Sequence, residues 1–202
     1  MPPKPKFTKE EIVTAALELV SEKGIEALTA RELGVRLGSS ARPIFTVFNS
    51  MEEVQAEVRT AALKRFEGYA EKAMHYSPVF KQVGMQMILF AIEEPKLYQL
   101  VYMSENAGAT DFEGITQQLG DVAQLCVDVI QRDYGLSKND AKALFEHVWI
   151  YTFGIGALCA TGMCRFSQEE IIQMLGQDFM AMLSYAKSGR MNMPTPVPRM
   201  EG

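Results

Sequence analysis

Histidine, cysteine and tryptophan are scarce in this chain of 202 residues, which holds two, three and one of them. Cys126, Cys159 and Cys164 are odd in number and lack CxxC spacing, and His75 and His147 lie far apart. Neither a disulfide framework nor a metal site is expected, and no cofactor is predicted. No Gly-rich phosphate loop, nucleophile elbow or HExxH pattern occurs, so no catalytic residues are assigned. Glu93-Glu94 is a carboxylate pair, but adjacent helical residues point in different directions and do not converge on one site. Asn-Gly and Asp-Gly turns are missing, as is sustained period-two alternation, which argues against hairpins. The N-terminal MPPKPKFTKEE has no apolar run of the secretory kind, so a cytoplasmic location is expected. Val148 to Cys164 carries no charge, yet it is at the short limit for a bilayer and is interrupted by Gly154, Gly156 and Gly162. It reads as a helix buried within a protein, and no membrane partner is predicted.

What the chain does contain is a series of helix starts. Ser/Thr-x-x-Glu allows the first side chain to accept from the N3 amide while the Glu reaches back to the cap amide. The pattern occurs at Thr8–Glu11, Thr29–Glu32, Ser50–Glu53 and Ser167–Glu170, with Ser137 and Asp140 as a variant. Gly24, Gly135 and Gly189 follow cation-bearing turns and fit helix stops. The fold class is therefore all-α, with helices expected near 9–23, 30–37, 41–48, 51–75, 78–93, 95–103, 112–134, 138–163 and 168–188. Helix length shifts around residue 50. Residues 1–50 read as a helix-turn-helix domain, 51–190 as a second helical domain, and 191–202, with three prolines, as a flexible tail.

Charge is uneven. The chain carries a net −5, yet residues 1–50 hold seven Lys and Arg against six Glu. From Leu33 to Met51 there is no acidic residue, so a phosphate backbone could approach that window without repulsion. Ile12, Ala16 and Val20 form an apolar stripe four residues apart, and Leu33, Leu37, Ile44, Val47 and Phe48 extend it. Two short helices joined at Gly38-Ser39-Ser40 need a third to form a core, which is the geometry that presents a second short helix to a major groove. Ser40 is the expected N-cap of that helix. Pro43, at its third position, lacks an amide that would have had no intrahelical partner, so the helix is expected to tolerate it. Arg42 is the one side chain in Ser39–Asn49 able to contact guanine bidentately; it could equally hold a phosphate.

The stretch FTKEEIVTAALELVSEKGIEALTARELGVRLGSSARPIFTVFNSMEEV resembles the N-terminal domain of the tetracycline-repressor (TetR) family. The likeness rests on Ala15-Ala16, the Gly24 stop, Leu28-Thr29, Leu37-Gly38 and Phe48-x-Ser50-x-Glu52-Glu53. It implies that Ser39, Ser40, Ala41, Arg42, Phe45 and Thr46 face DNA and that Thr29 caps the second helix against a phosphate. Where the family often has Tyr, Tyr and Lys, this chain has Phe45, Val47 and Met51, which shifts phosphate contact toward Lys4 and Lys6.

Beyond residue 50 the chain is rich in aromatics and methionine. By family resemblance Phe66, Tyr69, Met85, Met87, Phe90, Tyr98, Tyr102, Met103, Trp149 and Phe153 surround a ligand cavity, and His147 and Gln117 are candidate polar anchors. The last two long helices carry small residues (Gly154, Gly156, Ala157) and an apolar stripe, and are expected to pair two copies into a homodimer. The implied function is a bacterial transcriptional regulator, in the first instance a repressor. It would bind palindromic double-stranded operator DNA and be released by a small, largely apolar effector. A helical protein-interaction adaptor, or a small-molecule enzyme, is the alternative.

Overall fold

Capping chemistry decides where this chain turns into helix. In the computed structural model, which describes residues 5–73, 79–104, 114, 121–189 and 191, Thr8 Oγ1 accepts from the Glu11 amide at 3.1 Å while Glu11 accepts from the Thr8 amide at 2.7 Å. The resulting helix α1 runs Lys9–Lys23. Thr29 accepts from the Glu32 amide and starts α2, Ala30–Arg36. Ser50 accepts from the Glu53 amide at 3.4 Å ahead of α3, Met51–Ala73. Helices α4 (Val79–Glu93) and α5 (Pro95–Tyr102) follow, with Pro95 in the first turn, where its missing amide costs nothing. Then come α6 (Asp121–Tyr134), α7 (Lys138–Ala160) capped by Ser137, and α8 (Gln168–Lys187) with a full Ser167/Glu170 box. No strand occurs among the described residues. The ends expected at 74–75 and 78, residues 112–113 and 115–120, Lys4, Gln117 and the tail from 192 on lie outside the described residues.

One expected helix is different. Residues 41–48 do not form an α-helix; the segment is a short 3-10 turn over Ile44–Thr46. The amides of Ile44, Thr46 and Val47 bond three residues back, to Ala41, Pro43 and Ile44, and only Phe48 reaches four back. Pro43 is the reason. It disfavours α geometry at Arg42, so the Ile44 amide, which would have opened an α-type ladder on Ser40 O, closes a tighter ring on Ala41 O instead.

The core begins where α1 buries Ile12, Ala16, Leu19 and Val20 against Leu33, Ile44 and Phe48. Along α3, Val54, Val58, Ala62, Phe66 and Ala70 recur every four residues and are all buried. That single stripe carries the core from α1 to the C-terminal helices, each large side chain contributing about 1.5–3 kcal/mol. Helix α7 is long and apolar enough to cross a membrane, but here it packs on α4, α5, α6 and α8.

Two glycines are set by close approach. A Cβ on Gly34 of α2 would lie 2.9 Å from the backbone of Ser40 and Ala41, so the turn after α2 can press on this helix only because the side chain is missing. A Cβ on Gly156 of α7 would lie 2.5 Å from the hydroxyl of Tyr98, a fully buried side chain on α5. Between α4 and α5 the carboxylate of Glu94 is mostly buried. It accepts from Ser21 Oγ of α1 at 2.6 Å and pairs with Arg65 of α3 at 2.7 Å, bracing three helices at one point.

Candidate nucleic-acid interface and interior cavity

The turn after α2 presents its polar and charged groups outward because three residues per turn eclipse i and i+3. Ile44 is buried and Val47 half-buried, whereas Arg42, Phe45 and Thr46 face solvent. Phe45 is 46% exposed, its ring open to solvent beside Thr46. Thr46 donates its hydroxyl to Pro43 O at 2.6 Å, holding the turn and leaving its methyl and lone pair outward. Lys6 Nζ donates to Ser39 Oγ at 3.0 Å, so the N-terminal arm and the turn share one surface. Ser40 is exposed and Ala41 half-buried beside them. Thr29 is exposed as well, its oxygen accepting from Glu32 while the hydroxyl proton remains available.

Not every cation nearby is free to act. Arg36 is bonded by Glu22 at 2.7 and 2.8 Å and by Glu18 at 3.0 Å, and these hydrogen bonds raise its guanidinium pKa further. It ties α2 to α1 with its charge neutralised. Arg31 and Arg42 are exposed and form no ion pair among the described residues.

A cavity of ≈ 80 Å³ lies among α3, α4, α6, α7 and α8. Phe66, Phe80, Met87, Phe145, Trp149 and Phe179 supply its apolar wall, Thr152 and Tyr134 contribute hydroxyls, and Lys81 is the one charged residue among the described residues lining it. The rings meet at angles, with Phe80–Phe179 centroids 5.4 Å and Tyr134–Phe179 5.1 Å apart. Thr152 donates to Val148 O at 2.8 Å. Burial pushes the Tyr134 phenol up, with the Asp133 charge adding to it. Among the described residues no three His, Cys, Asp or Glu come together to hold a metal ion. Burial pushes the Cys126 thiol up to about 12, far from the reactive range of a nucleophile.

Residues 12–58 match the sequence model of the family described as "Bacterial regulatory proteins, tetR family". Over this stretch the chain is similar to the N-terminal domain of TetR-family regulators. Solved structures agree in fold. A TetR-family protein from Vibrio parahaemolyticus superposes with a TM-score of 0.63 at 16% identity, over 86% of this chain and 97% of that one. A transcriptional regulator of the TerR/AcrR family from Aquifex aeolicus gives 0.59 at 18%, over 87% and 99%. The fatty acid degradation regulator FadR from Bacillus halodurans gives 0.55 at 12%, over 86% and 93%. A search of curated protein sequences finds no match. The fold is thus that of TetR-type DNA-binding transcriptional regulators.

Within this TetR-type fold the side chains expected to form the ligand wall separate into groups. Phe66, Met87 and Trp149 line the cavity. Tyr69, Phe90, Tyr98, Tyr102 and Phe153 do not; they stack beside it, with Tyr69–Phe90 centroids 5.3 Å, Tyr98–Tyr102 5.0 Å and Trp149–Phe153 5.5 Å apart. The Tyr102 hydroxyl is buried there without a hydrogen-bond partner among the described residues, and burial holds its pKa well up. Met85 packs instead with Ile88, Ile155, Ile171 and Leu175. Met103 is exposed at the end of α5, and His147 is exposed on α7. The reason is angular. Met85 and Met87, like His147 and Trp149, are two residues apart, or about 200° around a helix, so only one of each pair can face the cavity.

Sequence reasoning passed over Phe80, Lys81, Phe145, Thr152 and Phe179 in the cavity and the exposed Arg31 of α2. A signal was present on α7, where Phe145, Val148, Trp149 and Thr152 follow i, i+3, i+4, i+7 on one face. For Arg31 the signal was its place in the first turn of α2, next to Thr29.

Proposed function

We propose that this protein is a homodimeric transcriptional repressor whose two turns after α2 enter successive major grooves of a palindromic operator, and that a small molecule in the cavity releases it. The observation that carries the reading is the segment Ser39–Thr46, which holds no acidic residue and on which Arg42 and Phe45 stand exposed, with Lys6 bonded to Ser39. Arg42 contacts guanine or a phosphate, Thr46 and Phe45 meet thymine methyls and sugar, and Thr29, Ser39, Ser40, Ala41 and Lys6 set the register on the backbone. The DNA-binding unit is residues 1–50 and the effector-binding and pairing unit 51–190.

Dimer formation through α7 and α8 is supported by what these helices leave uncovered. Ile150, Met180 and Tyr185 are all more than two-fifths exposed, and a Cβ on Gly154 would meet nothing within 4 Å. One turn with one outward arginine is too small a contact for selective binding; two half-sites about 34 Å apart double it. Effector binding acts as a population shift of about 1–3 kcal/mol, transmitted along α3 and through Glu94, which holds α1 and α3 at the α4–α5 junction.

The test is fluorescence anisotropy of the purified protein on promoter fragments and on random duplex, at several salt concentrations, with Arg42→Ala alongside. Selective binding that weakens steeply with salt and drops about 5- to 100-fold in the variant supports the proposal. Weak, unselective binding indifferent to Arg42→Ala refutes it.

A further inference from the structure

The cavity's charge pattern says more than that it is apolar. Its walls are aromatic and aliphatic, and the one charged side chain lining it among the described residues, Lys81, is exposed, which puts it at the opening. No carboxylate pairs with Lys81 among the described residues. A cationic guest would be repelled at that opening, and a neutral one would leave the ammonium unused. Deeper in, the Thr152 hydroxyl already donates to Val148 O and is not free to donate to an anion. An acid head therefore belongs at the mouth and an apolar body inside.

Volume limits that body. A cavity of ≈ 80 Å³ holds roughly half a dozen water-sized spheres, room for no more than one ring, with any chain lying in the mouth. The tilted rings of Phe80, Tyr134 and Phe179, at 5.1 to 5.4 Å, present edges and faces to an inserted ring. We infer that the cavity takes a small aromatic carboxylic acid, its ring between Phe80, Trp149 and Phe179 and its carboxylate on the Lys81 ammonium. This rests on the reading of the cavity as the effector site and names the effector's chemical class.

Trp149 is the only tryptophan and lies in the cavity wall, so its fluorescence reports occupancy directly. The full-length protein is titrated with 3-phenylpropanoate, its amide, and 3-phenylpropylammonium. The acid is expected to bind about five- to tenfold more tightly than the amide, with the ammonium weakest and the acid's advantage shrinking as salt rises. Lys81→Met, at an exposed position where substitutions usually change stability little, should equalise acid and amide without weakening the amide. Gly176→Leu should abolish all three responses, because Gly176 lines the cavity and its Cβ position is open. Equal or tighter binding of the amide or ammonium, an acid preference that survives Lys81→Met, or no response to the acid at millimolar concentration overturns the inference. Operator binding is measured on the same preparations. If it is selective, any of those failures removes the ligand class alone; if it is absent, the regulator reading fails while the cavity's preference still stands.

Discussion

Adding one methyl group to this protein should have opposite effects at two glycines. At Gly156 the new Cβ would sit 2.5 Å from the Tyr98 hydroxyl and 2.8 Å from its Cζ, in the packed contact between α5 and α7. Tyr98 has no free space to retreat into, being fully buried against Phe90, Tyr102 and Phe153, and its hydroxyl donates to Phe153 O at 3.2 Å. Overpacking of this kind costs about 1–3 kcal/mol and the displaced hydrogen bond about 1 kcal/mol more. Replacing a helical glycine by alanine returns about 1 kcal/mol. The net for Gly156→Ala is a loss of about 1–3 kcal/mol, or roughly 2–12 °C in Tm for a chain of this size. Gly68 lies on the exposed side of α3 and its added Cβ would meet nothing within 4 Å. Gly68→Ala should therefore gain up to about 1 kcal/mol and roughly 2–4 °C. Both are read by circular dichroism melting at one fixed protein concentration, since assembly would make Tm concentration-dependent. The double variant Gly156→Ala/Tyr98→Phe should recover part of the loss, because the oxygen at 2.5 Å is gone while Cζ at 2.8 Å remains. A Gly156→Ala protein as stable as Gly68→Ala would refute the packing of α5 on α7.

Two further outcomes can be checked simply. Asp178 Oδ2 is buried without a hydrogen-bond partner among the described residues, and desolvation raises its carboxyl pKa against the opposing pull of His147. A carboxyl raised on folding weakens the folded state as pH climbs through its titration, so Asp178→Asn should melt higher at pH 7. That advantage should fade as pH falls into the acid range, and a pH-independent difference would contradict it. The three thiols should react in order with a chromogenic disulfide at pH 8. Cys164, which is exposed, reacts first, then half-buried Cys159; Cys126, pushed up to about 12, reacts only on unfolding. A rapidly labelled Cys126 would refute its placement in the core.

What could be read from the sequence was whatever is decided within one turn of helix. Thr8 with Glu11 and Ser167 with Glu170 lie three residues apart, so their reciprocal hydrogen bonds form or fail locally, and the helix starts they mark are those of the structure. The buried stripe of α1 and the TetR-type spacing of its domain are equally local patterns. Pro43 was local too, but its effect depended on whether its flanking amides had partners three or four residues back, which alternation of apolar residues does not encode. The cavity belonged to the tertiary structure. Phe80, Phe145 and Phe179 come from three helices, and Phe66 and Trp149 join them only once α3, α4, α7 and α8 are rotated about their axes against one another. An apolar side chain packs equally well toward a filled core or an open cavity. Which face of α4 or α7 meets the opening is chosen by contacts such as Tyr98 on Gly156, made between residues 58 positions apart.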